Sequence, residues 1–241
     1  MLELPEVLTV AKQLDEKLNG KKVLQVLPPT KAHKFCWFSA EPVAFDKALR
    51  GSRAEVTKGF GIFVEITFDT GYHLCFNDGI NCRLAPYAEV PKDYQLLIEF
   101  EDDLKLVFTV GMYGGLVLHN DGVVNEYYGK SLAYISPFQP EFAAYYQKLL
   151  AKSKPNLSAK AFLATEQRFP GIGNGTLQDI LYAAGIHPKR KIGTMTDAEK
   201  ENLQLCIVRV LDEMTKAGGQ IVKEAYLGGS VYYCPICQPL A

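Results

Sequence analysis

The sequence lacks any long apolar run, and its cysteines are too scattered to stabilise a secreted fold. No stretch approaches the roughly eighteen consecutive apolar residues of a membrane span, and the chain does not begin with a basic segment followed by an apolar one. Of the six cysteines, only Cys234 and Cys237 lie close together, which is not the pattern of a disulfide framework. We therefore predict a cytoplasmic protein that has no secretory signal and no membrane partner.

The net charge is also small, so the chain lacks the strongly basic composition that many nucleic-acid-binding proteins have. The 241 residues contain 26 Lys and Arg against 27 Asp and Glu, for a formal net charge of −1. The distribution is uneven, because residues 131–241 contain 12 basic and 9 acidic residues whereas residues 1–130 contain 14 and 18. The positive charge of the second part supports only modest, salt-sensitive binding to a duplex.

The hydrophobic patterning predicts an α+β multidomain protein. Apolar residues recur at helical spacing over residues 3–18, and short strand segments follow between residues 22 and 118. Turn signals between these strands predict an antiparallel β-sandwich, with hairpin turns at residues 69–71, 101–103 and 119–122. A looser segment over residues 123–140 precedes a region of helical periodicity that begins at residue 141.

The most informative segment runs from Phe169 to Lys191. Gly171 and Gly173 precede an apolar helix that carries Asn174 near its start, and a second turn leads into three consecutive cations, Lys189, Arg190 and Lys191. A glycine turn that exposes N–H groups at a helix N-terminus is a binding site for an anion. We therefore expect a phosphate backbone to fit between the two turns. Taken alone, these features are more typical of an ordinary helix start and a solvated basic surface.

Together, the Gly-Ile-Gly-Asn and Ala-Gly-Ile-His-Pro segments resemble the helix–two-turns–helix element of the formamidopyrimidine-DNA glycosylase / endonuclease VIII family. The resemblance implies an N-terminal helix, a β-sandwich and a helical domain, and it implies double-stranded DNA, damaged or abasic, as the partner. It also implies a catalytic-type domain over residues 1–128 and a DNA-binding domain over residues 131–219. The implied DNA-binding residues in the second domain are Lys160, Gly173, Asn174, Lys189 and Arg190.

The family's chemistry resides at the N-terminus, and there this chain departs from the pattern. The family motif begins with a proline whose amine forms a Schiff base with the sugar, and Leu2 stands at that position here. An α-amine suits this attack because its pKa lies near 8. A retained Met1 would displace the amine by one residue, so we predict that the covalent lyase step is lost or weak. Glu3, a general acid/base in the family, and Glu6 are present; without the resemblance both are ordinary first-turn carboxylates.

Other departures affect the first domain. The resemblance places Phe60 where the family has a lysine, and Lys58 lies two residues earlier, on the same face of a predicted strand. Met112 and Tyr113 replace the arginines of the family's inserted loop. Ile80 corresponds to the family's apolar wedge, which unstacks bases. Ordinary packing or loop roles explain Ile80, Met112 and Tyr113 equally well.

The C-terminal segment, residues 220–241, is predicted to be a truncated zinc-finger remnant. Cys234 and Cys237 match one pair of the family's four cysteines, and no second pair is present. Structural zinc requires four ligands, so we expect no bound cofactor or metal. Cys206 lies within a helical pattern and is predicted to be a core residue.

The sequence supports two main functions. The first is a base-excision-repair DNA glycosylase that releases a damaged base without the lyase step. The second is a catalytically inactive DNA-binding module on the same fold. A small-molecule enzyme on this fold is a third hypothesis, which the near-neutral charge favours.

Overall fold

The computed structural model describes residues 2–86, 89–120, 122 and 125–217, and the backbone of residues 222–226 and 229–233. The chain forms two compact units. The first contains Leu2 and residues 10–129; the second contains residues 3–9 and the described residues from Lys130 onwards. Helix α1, Leu4–Leu18, begins in the second unit and ends in the first. Within the described part of the chain, no helix has the length and apolarity needed to cross a membrane.

The first unit is a β-sandwich of a four-stranded and a five-stranded sheet. The four-stranded sheet has the order β1-β7-β8-β6 and is antiparallel throughout. The five-stranded sheet has the order β2-β9-β5-β4-β3, in which only the pairing of β2 with β9 is parallel. The strands are β1 (Val23–Leu27), β2 (Cys36–Phe38), β3 (Ala54–Phe60), β4 (Phe63–Phe68), β5 (His73–Asn77), β6 (Ile80–Ala85), β7 (Leu96–Phe100), β8 (Lys105–Val110) and β9 (Gly114–His119); helix α2 (Pro42–Leu49) lies between β2 and β3.

The sandwich core is built from strand side chains that point between the two sheets. Burial does not simply alternate along the strands, since β8 and β9 are each buried at four consecutive positions. Inward-facing residues include Ile66 and Leu74, which are directly opposite in register, and Phe76, which makes an edge-to-face contact with Phe108 across the two sheets. The α+β architecture predicted from the sequence is confirmed, with one parallel strand pair as an addition.

The hairpin turns at residues 69–71 and 101–103 are confirmed, the second with left-handed backbone at Asp102 and Asp103. The hairpin predicted at residues 119–122 is wrong, because β9 is followed by helix α3, Glu126–Ala133. That helix also corrects the prediction of a loose segment over residues 123–140. Asn125 immediately precedes α3, and its Oδ1 accepts the Tyr128 N–H of the first helical turn at 2.9 Å.

The second unit is helical and has its own core. Its helices are α3 from Lys130 onwards, α4 (Phe142–Lys152), α5 (Ala159–Ala164), α6 (Asn174–Ala183) and α7 (Asp197–Lys216), with a short 3₁₀ turn at Ile192–Thr194 and a hairpin of β10 (Val222–Tyr226) and β11 (Gly229–Tyr233). Phe142, Tyr146, Phe162 and Phe169 form a ring cluster at its centre. The sequence pattern predicts helices over residues 141–153, 158–163, 176–184 and 196–217, and the observed helices agree with these bounds to within two residues. Cys206 is buried as predicted.

Candidate functional site

The N-terminus of α6 holds the carboxylate of Glu3. Glu3 Oε1 accepts the Gly175 N–H at 2.9 Å, and Glu3 Oε2 accepts the Thr176 N–H at 2.7 Å. These N–H groups belong to the first turn of a helix, where no intrahelical carbonyl is available to them. Negative charge at this end also interacts favourably with the helix dipole. The carboxylate is therefore held in one orientation through both of its oxygens.

The glycines of the turn permit this approach. Gly171 has a φ of +93°, and its carbonyl accepts the Leu4 N–H at 2.8 Å, which brings the start of α1 against the turn. Gly173 caps α6 without a side chain. A Cβ on Gly175 would lie 3.2 Å from Glu3 Oε2, which is tighter than an ordinary contact. Residue 175 must therefore be small for Glu3 to bind the helix.

Two other carboxylates shape the electrostatics around Glu3. Glu6 Oε2 accepts the backbone N–H of Glu3 at 2.8 Å, and burial raises the pKa of Glu6 above its ordinary value. Burial and the nearby charge of Glu3 also raise the pKa of Asp179. Asp179 was not predicted as a site residue, although its position one turn after Gly175 places it on the same side of α6. The site is therefore a group of carboxylates at one helix end.

This arrangement corrects the prediction that the start of α6 is open to a phosphate. The N–H groups of Gly175 and Thr176 bind the protein's own carboxylate, so a phosphate cannot occupy the same donors. Asn174 is exposed at the first position of the helix, and Gly173 is buried behind it. Asn174 therefore remains a polar group at the rim of the turn.

Backbone hydrogen bonds bring the predicted cations together. The Lys160 N–H donates to the Pro188 carbonyl at 3.0 Å, and Ser158 forms a bridge with Lys191. Lys160, Lys189 and Lys191 are all exposed. The turn after α6 that carries two of them ends the helix through left-handed Gly185, whose φ is +66°. The Ile186 N–H donates to the Leu181 carbonyl there, as in a Schellman motif.

Arg190 differs from these lysines because its guanidinium is already paired. Its Nη1 and Nη2 donate to both carboxylate oxygens of Glu199 at 2.5 and 2.8 Å, and Nη2 also donates to the Thr194 carbonyl. Glu199 in turn forms a capping box with Thr196 at the start of α7. Hydrogen bonding from Thr196 and Arg190 lowers the pKa of Glu199. Arg190 therefore links the turn to the start of α7. Its Nη1 and Nη2 could bind a phosphate only if their hydrogen bonds to Glu199 were broken.

At the start of the chain, the Leu2 nitrogen is a peptide amide because Met1 precedes it. Its N–H donates to the Asp78 carbonyl at 2.7 Å. Asp78 has a left-handed backbone, with a φ of +54°, in the turn between β5 and β6. While Met1 is retained, the lone pair of the Leu2 nitrogen is delocalised into the peptide bond and is not available for nucleophilic attack.

The side chain of Ile80, the predicted apolar wedge, is only 1% exposed and packs inside the sheet. Ile80 pairs with Val110 in the sheet, and a Cβ on Gly114 would lie 2.6 Å from its side chain. The exposed apolar side chains nearby are Met112, at 70%, and Tyr113, at 48%. The Gly79 N–H donates to the Tyr113 carbonyl at 2.8 Å, so these residues lie beside the turn before β6.

Lys58 is an exposed residue of β3, directly opposite Glu65 of β4. Phe60, on the same face, stacks on Phe63 and contacts Tyr128. Phe60 therefore occupies the position where the family has a lysine, and Lys58 is the exposed lysine on the same face of β3. Cys234 and Cys237 lie outside the described residues.

Comparison with known proteins agrees with this architecture. Residues 1–109 match the family model for the formamidopyrimidine-DNA glycosylase N-terminal domain. The formamidopyrimidine-DNA glycosylase of Exiguobacterium sibiricum is 27% identical over 230 residues, covering 92% of this chain and 81% of that protein. The Bacillus cereus protein of the same name is 25% identical over 281 residues, covering 99% of both.

Solved structures show the same fold. The Lactococcus lactis formamidopyrimidine-DNA glycosylase, non-covalently bound to DNA with an AP site, has a TM-score of 0.76 and 20% identity, covering 99% of this chain and 100% of that one. Its complex with a THF-DNA and an inhibitor has a TM-score of 0.78 and 19% identity over the same shares. The chain is therefore similar in sequence over nearly its whole length, and in fold, to formamidopyrimidine-DNA glycosylases.

Proposed function

We propose that this protein binds damaged or abasic double-stranded DNA and acts as a base-excision-repair glycosylase without an efficient lyase step. The observation that carries the proposal is the fixed Glu3 carboxylate at the start of α6, next to exposed Asn174. A relative of the same fold, from Lactococcus lactis, was solved on DNA with an AP site. A carboxylate held in this way suits acid–base chemistry on a sugar whose base has been flipped out of the duplex.

In the proposed reaction, Glu3 acts as the general base. It accepts a proton from a water molecule that attacks the anomeric carbon while the N-glycosidic bond breaks and the bonding pair leaves with the base. The departing base takes up a proton from solvent, and Glu3 then releases its proton to solvent, which restores the carboxylate. Each carboxylate oxygen of Glu3 accepts one backbone N–H from α6 and has a second lone pair that can accept the proton. Glu6 supports the position of Glu3 by accepting its N–H. The products are a free base and an abasic site.

The lyase step requires an amine, and the Leu2 nitrogen does not provide one. It is an amide whose N–H is directed at Asp78. An amine on Met1 would lie one residue, roughly 3.8 Å of backbone, from the family position. Reacting groups misplaced by about 1 Å can already lose a hundredfold in rate. We therefore propose that no Schiff base accumulates on this protein.

We assign DNA binding to the cations around the turn that follows α6. Lys160, Lys189 and Lys191 are exposed and linked through backbone hydrogen bonds, so they can contact successive phosphates. Asn174 adds a polar contact at the rim of the first turn. Arg190 is assigned a structural role because of its bond to Glu199.

Met112 and Tyr113 replace Ile80 as the proposed wedge. Both are exposed in the loop between β8 and β9. A flat aromatic ring and a flexible thioether can fill the gap that an extruded base leaves in the stack. Phe35 is exposed next to this loop, since its carbonyl accepts the Gly114 N–H at 3.0 Å.

An inactive DNA-binding module is the second candidate function. It is favoured by Phe60, which packs against Phe63 and Tyr128 where the family resemblance calls for a lysine. On this view, Glu3 would serve only to hold α1 on α6.

One experiment separates these functions. The protein is incubated with duplexes that carry an oxidised base or an abasic site, with and without borohydride, and compared with a Glu3→Gln variant. Base release that depends on Glu3 and leaves no trapped complex supports the proposed glycosylase. Binding without base release supports the module, and a borohydride-trapped complex overturns the proposed loss of the lyase step.

A further inference from the structure

We propose that Glu65, Cys75 and His119 form a zinc-binding site on the five-stranded sheet. This site goes beyond the proposed function and does not depend on it, since all three residues belong to the sandwich and none is assigned to base release. Their ligand atoms, one from each residue, all lie within 4.8 Å of one another.

Strand register brings the three side chains to one face. Glu65 of β4 lies directly opposite Cys75 of β5. His119 of β9 lies opposite His73 of β5, two residues from Cys75, and therefore diagonal to Cys75 on the same face. The alternate residues of β5, such as Leu74, face the sandwich core. The site thus combines three neighbouring strands on a rigid sheet.

The distances suit a small tetrahedral ion. Cys75 Sγ lies 3.4 Å from His119 Nε2, and His119 Nε2 lies 3.3 Å from Glu65 Oε2. Zinc with bonds of about 2.3 Å to sulfur and about 2.1 Å to nitrogen or oxygen separates its ligands by roughly 3.4 to 3.6 Å. The third distance, 2.7 Å between Cys75 Sγ and Glu65 Oε2, is that of a thiol hydrogen bond. It would lengthen once the ion replaces the proton.

The donor chemistry points to zinc more than to calcium or magnesium. Thiolate and imidazole ligands suit borderline-soft transition metals, whereas hard cations prefer oxygen alone. Three protein ligands leave a fourth position for water. Cys75 is fully buried, whereas the side chains of Glu65 and His119 are 12% and 10% exposed. An ion can therefore approach from the side of Glu65 and His119.

Neighbouring groups orient the ligands, as is typical of metal sites. The Tyr128 hydroxyl donates to Glu65 Oε2 at 2.6 Å. The ring of His73 stacks on His119 with centroids 5.0 Å apart, and its Nδ1 lies 3.1 Å from Thr67 Oγ1. Tyr128 and His73 thus hold Glu65 and His119 in place from two sides.

Charge balance also favours occupancy. When zinc binds, the S–H bond breaks, the S–Zn bond forms and the proton passes to solvent; nothing is oxidised or reduced. Two negative ligands then balance the two positive charges of the ion.

The test measures zinc in the full chain, in a Cys234→Ser/Cys237→Ser background that removes the other candidate thiols. Protein equilibrated with zinc and then gel-filtered should retain one ion per chain. Cobalt should give a thiolate-to-metal charge-transfer band. Glu65→Gln and Cys75→Ala should each weaken binding at least tenfold, and Tyr128→Phe should weaken it by about 10- to 100-fold. Cys82→Ala, in the other sheet, should leave binding unchanged.

The melting temperature gives a second, independent measure of zinc binding. Zinc should raise the melting temperature of the background protein and of Cys82→Ala, because a ligand that binds the folded state stabilises it. Glu65→Gln is nearly isosteric, so its zinc retention tests the proposal if Cys75→Ala does not fold. Failure of the background protein to retain zinc, or equal retention by folded Glu65→Gln, would overturn the proposal and leave a hydrogen-bonded cluster only.

Discussion

Glu3 and Thr176, 173 positions apart in the sequence, meet at the first turn of α6, where Glu3 Oε2 accepts the Thr176 N–H at 2.7 Å. The contact joins the segment that bears the family's acid–base glutamate to the turn that bears Asn174. It places a fixed negative charge where a helix N-terminus would otherwise attract a phosphate. The turn before α6 therefore positions Glu3, the proposed general base, while the turn after α6 carries exposed lysines that we propose contact DNA.

Replacing Glu3 by Gln should reduce base release by about 10²- to 10⁴-fold, the usual contribution of a general acid or base. The amide would also turn an N–H₂ group towards the Gly175 or Thr176 N–H, so a small loss of melting temperature is expected. Single-turnover assays on an oxidised-base duplex measure the rate, and Glu201→Gln on exposed α7 is the control. An unchanged rate in a folded Glu3→Gln protein would remove Glu3 from the mechanism.

Replacing Gly175 by Ala should lower activity without lowering stability. The added Cβ would lie 3.2 Å from Glu3 Oε2 and would displace the carboxylate by a few tenths of an ångström. A rate loss of roughly tenfold is expected from such a shift, whereas the helix gains propensity from alanine. Parallel melting and base-release measurements check this, with Gln178→Ala on the same helix as control. Full activity in Gly175→Ala would mean that the position of Glu3 is not critical.

Replacing Lys189 by Ala should weaken DNA binding at every sequence and reduce the slope of log affinity against log salt by about 1. Lys148→Ala, an exposed lysine on α4, should leave that slope unchanged. Fluorescence anisotropy at several salt concentrations gives both values. Identical slopes for Lys189→Ala and the unmodified protein would exclude a phosphate contact.

Glu199→Gln should destabilise the protein at neutral pH and much less in acid. The pKa of Glu199 is lowered from its ordinary value of 4.5 by hydrogen bonds from Thr196 and Arg190. A lowered folded-state pKa contributes stability above the unfolded value, and this contribution is lost as pH falls through the folded value. Urea unfolding at neutral pH and well below pH 4.5 measures the difference. A destabilisation that does not shrink in acid would assign it to packing instead of charge.

Tyr113→Ala should weaken binding to abasic duplexes by about 1 to 3 kcal/mol, the usual value of one base–aromatic stack. Met112→Ala should act in the same direction with a smaller effect. Val43→Ala, an exposed apolar residue of α2, serves as the control for lost apolar surface. Unaltered binding by Tyr113→Ala would return this loop to an ordinary surface role.

The sequence by itself determined the element types wherever periodicity was strong. The spacing of apolar residues predicted α1, the later helices and most strands, because helical and extended backbones bury side chains with different periods. The strands β2 and β6 and the helices α2 and α3 were not predicted. The two-turn motif and the substitution at Leu2 were likewise visible without coordinates.

Tertiary structure decided which groups are available for chemistry. Glu3 occupies the helix end that the local sequence left open, Arg190 is committed to Glu199, and Ile80 is buried where a wedge was expected. The grouping of Glu65, Cys75 and His119 depends on strand register, which pairs residues far apart in the chain. Local patterns specify backbone conformation, but contacts between distant segments depend on how the chain packs, and only the folded structure determines them.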